Sequence, residues 1–227
     1  MLKFYFNGSP NPTKVALFLE EAGLAYEPIA IDTRKGDQFK PEFAAINPNA
    51  KVPVIVDGDA TVFDSNAILL YLAEKTGQFL PGTALKARGE MLSWLMFVAS
   101  GIGPYSGQAV HFRTYAPKPN DYSLSRYKTE LLRLYDLLNK RLGETKYLGG
   151  DEYSIADMAT FPWTRQHQAQ GAKIEALPNF RRWFDDVSAR PAVKAMIAKQ
   201  GEIKSSRETA TDEHKDRFFG RGKYARA

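Results

Sequence analysis

The 227-residue sequence contains no cysteine. That excludes a disulfide framework, a thiolate metal site and a cysteine nucleophile supplied by the protein itself. Histidine is scarce as well: His111, His167 and His214 are the only three and lie too far apart along the chain to suggest a metal cage. No run of about 18 apolar residues, the length a bilayer span needs, occurs anywhere. The opening Met1 to Phe6 lacks the charged start and long apolar stretch of a secretory signal. The expectation is a soluble, cytoplasmic protein with no metal and no membrane partner. Charge of one sign is also in short supply. The formal net charge is +5, and Arg217, Arg221, Lys223 and Arg226 account for +4 of it with no acidic residue after Arg217. The basicity belongs to a tail, and the basic, aromatic-studded face of a nucleic-acid binder is weak within the rest of the chain.

Forty-four per cent hydrophobic and 25% charged residues suffice for an ordinary packed core. Leu2, Phe4 and Phe6 alternate with Lys3, Tyr5 and Asn7, the pattern of a half-buried strand. The breaker cluster Gly8 to Pro12 follows, and from Thr13 the spacing of Val15, Leu19 and Ala22 before Gly23 predicts a helix. Tyr26 to Ile31 reads as a second strand, so the chain opens with strand, helix, strand, which favours a parallel pair. After a polar stretch, Val54 to Val56 and Thr61 to Phe63 flank Asp57-Gly58, the signature of a hairpin. Asp64, Ser65 and Asn66 then introduce a helix through Lys75.

Beyond the Pro81-Gly82 linker the strand signals nearly vanish. Helical spacing dominates Leu85 to Val98, Ser123 to Leu142, Phe180 to Val187 and Ala192 to Lys199. Ser154 and Asp157 have the spacing of a capping box, with Tyr153 and Met158 placed as a hydrophobic staple. The fold class expected is therefore α/β plus all-α: a βαβ-ββα domain, an element order that resembles the thioredoxin fold, over 1–78, an all-helical domain over 84–200 and a basic tail over 201–227.

The order of these elements, with Val52-Pro53, Asp64-Ser65 and the Ser154 to Asp157 cap, resembles the glutathione transferase superfamily from about Leu2 to Lys199. Phe4-Tyr5-Phe6 with Ser9-Pro10-Asn11, Lys35-Gly36-Asp37-Gln38-Phe39 and Ile46 to Pro53 are similar to the Nu class, bacterial relatives of the yeast Ure2 protein. Phe63 to Leu72 and Tyr147-Leu148-Gly149-Gly150 add to the match. The class usually has threonine at Ser9 and often glutamate at Asp64, changes that keep the hydrogen-bonding type.

The resemblance implies a dimeric enzyme with glutathione as co-substrate and a small disulfide or electrophile as second substrate. Lyase action on thioether adducts, or glutathione-dependent regulation with little catalysis, are the alternatives. Val52, ahead of a cis Pro53, would pair with the cysteinyl backbone as an added strand. Ser65 at a helix start suits the γ-glutamyl carboxylate, and Asp64 its amine, though both are also ordinary caps. Gln38 and Lys51 are candidates for the glycyl end. Ser9 and Asn11 are the candidates to hold the thiol as thiolate, in preference to Tyr5. Arg126 would reach in from the partner subunit to a carboxylate. Phe112, Tyr115 and Trp163 are candidates for an apolar substrate pocket.

Overall fold

Alternating apolar residues do place a strand at β1 (Leu2–Phe6), and Phe4 is fully buried while Lys3 is exposed. In this computed structural model, which describes residues 1–203 and 209–219 except the side chains of 215–217, α1 (Pro10–Glu21) crosses over to β2 (Tyr26–Ala30). The two strands pair in parallel, Leu2 opposite Tyr26. The polar stretch that follows holds a 3-10 turn at Asp37–Phe39 and the short α2 (Pro41–Ala44). The hairpin is present as β3 (Val54–Asp57) and β4 (Ala60–Phe63), antiparallel, with Gly58 at a φ of 65° that its missing Cβ permits. With α3 (Ser65–Thr76) the first domain is complete, and its sheet order is β2-β1-β3-β4.

The second half is helical: α4 (Leu85–Phe97), α5 (Gly103–Thr114), α6 (Asp121–Glu144), α7 (Ile155–Thr164), α8 (His167–Gln170), α9 (Pro178–Ser188) and α10 (Pro191–Gly201). A π-helical segment, Val98–Ile102, joins α4 to α5 without a loop. The capping box at α7 is formed: Ser154 Oγ accepts from the Ala156 amide, and Asp157 Oδ2 accepts from the Ser154 amide at 3.0 Å. Asp157 is fully buried and also accepts from the Leu148 amide (2.9 Å) and the Trp183 indole (2.8 Å), so one carboxylate ties the α6–α7 connection to α9. Burial pushes its pKa up to about 6, opposed by those donors.

Helix α1 lies between the two domains, which is why Pro12 to Leu19 are buried on every side rather than along one stripe. It packs on α3 in its own domain and on α7 and α10 in the other, and the hydrophobic core runs through both without a break. Polar pairs flank the seam: Arg190 bridges to Glu21 and stacks 3.9 Å from the Tyr153 ring centroid, and Lys199 bridges to Glu20. The segment expected as a plain tail contains a helix, α11 (Asp212–Phe219), which returns to the body of the protein. Phe219 stacks on Tyr115 with ring centroids 4.6 Å apart, and the Arg34 guanidinium lies over Phe218. Arg221, Lys223, Arg226 and the side chain of Arg217 lie outside the described residues.

Candidate functional site

Where the start of α1 meets the start of α3, a cavity of about 480 Å³ opens at the seam between the domains. The first domain contributes Asn11, Lys14, Lys51, Asp64, Ser65 and Asn66; Gln108 and Trp163 face them from the helical side. A second hollow, of about 520 Å³, is lined by Arg113, Lys128, His167 and Lys173 among others and contains none of the expected site residues. The expected site residues Asn11, Lys51, Asp64 and Ser65 therefore meet at the seam. Among the described residues no cluster of His, Cys, Asp and Glu could hold a metal.

Asn11 sits in the first turn of α1, half-buried, and its Oδ1 accepts from the Trp163 indole at 2.9 Å. An indole N–H only donates, so this bond fixes the amide orientation: oxygen toward Trp163, the NH2 group left for the cavity. Gly103 makes room for that indole, and Gly107 lies against its ring. A Cβ on Gly103 would stand 3.2 Å from Trp163 Nε1, and one on Gly107 would stand 3.7 Å from the ring. Ser9 is differently engaged. It is exposed, and both its hydroxyl (2.6 Å) and its amide (3.0 Å) donate to Asn7 Oδ1. Its only hydroxyl hydrogen is thus already used. Tyr5 turns edge-on to Phe43, 6.0 Å between centroids, and does not line the cavity.

At the other end Asp64 adopts a φ of 72° and caps α3, its Oδ1 accepting from the amides of Asn66 (2.8 Å) and Ala67 (3.2 Å). The residue is exposed and lines the cavity, so capping and ligand contact are compatible uses of its two oxygens. Ser65 is buried beside it at the helix N-terminus, where the helix dipole favours an anion. The Val52-Pro53 bond is cis, and sheet pairing begins only at Val54. Lys51 lines the cavity with its side chain exposed, while its carbonyl accepts from Asn47 Nδ2 at 2.6 Å.

Four expected residues stand elsewhere. Gln38 is buried and donates to the Thr33 carbonyl at 3.0 Å, bracing the loop after β2, and its Oε1 has no partner. Arg126 is exposed on α6, 3.8 Å from Glu130, and does not line the cavity of its own chain. Phe112 stacks on Tyr127 and Tyr115 on Phe219, leaving Trp163 as the aromatic of that group in the cavity.

Sequence reasoning missed Lys14. Its Nζ is buried at the base of the site and donates to Ser65 Oγ and Asn66 Oδ1, 3.2 Å each. Burial pushes its pKa down to about 7, and the charge of Asp64 resists the shift. The one available signal was a lysine directly ahead of the apolar run Val15 to Leu19.

Fold and cavity define a class: a thioredoxin-like domain offering an anion site at a helix start, joined to a helical domain that closes the other wall. The comparisons place the chain within it. The family model described as the glutathione S-transferase N-terminal domain matches residues 1–74, and that of the C-terminal domain matches 106–191. The disulfide-bond oxidoreductase YfcG of Escherichia coli K12 is 43% identical over 206 residues, covering 88% of this chain and 95% of that one. A glutathione transferase family member from Pseudomonas fluorescens pf-5, solved with two glutathione bound, is 38% identical at a TM-score of 0.81, covering 86% and 92% of the two chains. Ure2p in complex with glutathione is 31% identical at a TM-score of 0.81, covering 86% and 97%. The chain belongs to the glutathione S-transferase family, and its relatives are of the Ure2-like type that its motifs resemble.

Proposed function

We propose that the protein reduces small disulfides with two molecules of glutathione, acting as a cytoplasmic homodimer. The observation that carries this reading is the Asn11 amide, pinned by Trp163 so that its donors face a cavity in a chain with no thiol of its own. A glutathione bound with its γ-glutamyl carboxylate at Ser65 and its amine at Asp64 would lie along Val52 toward Asn11. The Asn11 N–H donates to the sulfur and favours the thiolate, the form that attacks. That thiolate displaces one sulfur of the substrate disulfide, giving a mixed disulfide and one free thiol. A second glutathione thiolate then attacks the mixed disulfide at the glutathione sulfur, releasing the other thiol and leaving glutathione disulfide. Two thiol hydrogens of glutathione end on the two product thiols, so electrons and protons balance.

YfcG supports the reaction by its name, and the Pseudomonas fluorescens relative, with two glutathione bound, supports the stoichiometry. Lys51 would meet the glycyl carboxylate, and Arg126 of a second copy would supply a further guanidinium. Gln38 acts at one remove, by holding the loop that follows β2. The test is steady-state turnover of hydroxyethyl disulfide with glutathione as reductant. Catalysis well above uncatalysed exchange is expected; tight glutathione binding with no turnover would leave a glutathione-binding regulator instead.

A further inference from the structure

Among the buried polar residues of the described chain, Lys14 is the one lysine, with 1% of its surface exposed. Its partners at hydrogen-bond distance are neutral, Ser65 Oγ and Asn66 Oδ1, and no carboxylate of the described residues lies within 4 Å of its amine. A buried ammonium with only neutral partners is costly, and it is an unusual feature to keep at the floor of a cavity. The charged groups that line the same cavity are Asp64, at the start of α3, and Lys51, ahead of β3. The α4–α5 segment and α7 contribute the uncharged Gln108 and Trp163. Asp157, also on α7, is spent on Leu148, Ser154 and Trp183, and Lys199 on α10 is paired with Glu20. Asp64 is the carboxylate whose charge reaches Lys14, from beyond 4 Å, and an anion bound at the start of α3 would meet the amine more directly.

We propose that Lys14 is the positioning residue for the γ-glutamyl carboxylate, holding Ser65 and Asn66 toward it, and that carboxylate binding is coupled to proton uptake by the Lys14 amine. This rests on the glutathione reading above. In the empty protein burial holds the amine near neutrality at physiological pH, with a pKa of about 7. A carboxylate arriving beside Ser65 raises that pKa, because an opposite charge at close range favours the ammonium. Binding then strengthens as pH falls toward 7 and weakens above it, by up to about tenfold per pH unit until the pKa of the bound state is passed. Ligand affinity at this site is thereby tied to a group that never touches the reacting sulfur.

S-methylglutathione is the suitable probe, since it has the carboxylate and amine of glutathione but no thiol to titrate. Isothermal titration calorimetry at about pH 7.5, in two buffers of different ionisation enthalpy, should show uptake of roughly half to three quarters of a proton per ligand. Lys14→Arg, permanently charged, should bind without uptake. Lys14→Met should also show none and should bind about 10- to 100-fold more weakly, the effect of losing a charge-assisted interaction. Circular dichroism establishes that each variant is folded; should either not be, the pH dependence of wild-type affinity decides, a flat profile between about pH 7 and 9 overturning the proposal. Wild-type binding without proton uptake, or uptake that persists in Lys14→Arg, overturns it too and leaves the glutathione site standing. No binding of either S-methylglutathione or glutathione overturns the glutathione reading and this inference together.

Discussion

Replacing Asn11 by alanine removes the side-chain donor proposed above to meet a bound sulfur. Its Oδ1 is committed to Trp163 at 2.9 Å, so the NH2 group is what the cavity receives. A hydrogen bond to a charged partner contributes about 1.5 to 3 kcal/mol, and one pKa unit corresponds to about 1.4 kcal/mol. Asn11→Ala should therefore raise the pKa of bound glutathione by about 1 to 2 units. The sign follows from which form the donor prefers: it stabilises the thiolate, so its loss favours the thiol. Turnover should fall most at neutral pH and recover in part at alkaline pH. Trp163→Phe leaves Asn11 in place but frees its amide to rotate. If both orientations become equally populated the cost is about 0.4 kcal/mol, RT ln 2, or about 0.3 pKa units. Ser9→Ala should do little, because the Ser9 hydroxyl is already donated to Asn7. Ultraviolet titration of the bound thiolate in these variants and in Tyr5→Phe measures all four shifts. An unmoved curve for Asn11→Ala, together with a clear shift for Ser9→Ala or Tyr5→Phe, would refute the reasoning.

Ser65→Ala should raise the KM for glutathione about 10- to 100-fold and leave kcat nearly unchanged, since the remote carboxylate is charged equally in ground and transition states; steady-state kinetics with an unchanged KM would contradict this. Asp157→Ala strands the buried donors of Leu148, Ser154 and Trp183 and should cost about 3 to 5 kcal/mol in urea-induced unfolding, a loss under about 1 kcal/mol being the adverse result. The empty protein should also show the linkage of Lys14 to folding. Its folded pKa, about 7, lies below the unfolded one, so between the two the unfolded chain binds more protons and stability rises with pH. Relative to Lys14→Met, wild type should gain about 1 kcal/mol per pH unit from about pH 7 to 9. Parallel stability curves for the two proteins would show that Lys14 does not titrate in this window.

Local chemistry was legible from residues alone. The alternation around Phe4, the Asp57-Gly58 turn, the Asp64 cap and the Ser154-Asp157 box each act over a few residues, and each element they predict is present. The lack of cysteine by itself moved any thiol chemistry onto a ligand. Helix α5 was harder to read, because Gly101, Gly103, Pro104 and Gly107 look like breakers in the sequence. In the folded protein Gly103 leaves room for the Trp163 indole, and packing overrides the poor helix propensity of these residues. Helix α11 was hidden for a similar reason, since it is placed by Phe219 against Tyr115 and by Arg34 against Phe218, contacts made far along the chain.

The sequence alone determined which residue types were available for an anion, an amine and a thiol, and the order in which local signals would present them. Only the tertiary structure decided which of them meet. Asn11 and Trp163 are 152 positions apart, and Lys14 and Ser65 are 51 apart. Neither pair leaves a local trace, because a hydrogen bond between distant residues depends on how helices pack, while hydrophobic spacing reports only which face of a helix is turned inward. For α1 even that report was incomplete. Enclosed by α3, α7 and α10, it has no outward face on which Lys14 could reach water, and the charge of that one lysine is set by the elements around it.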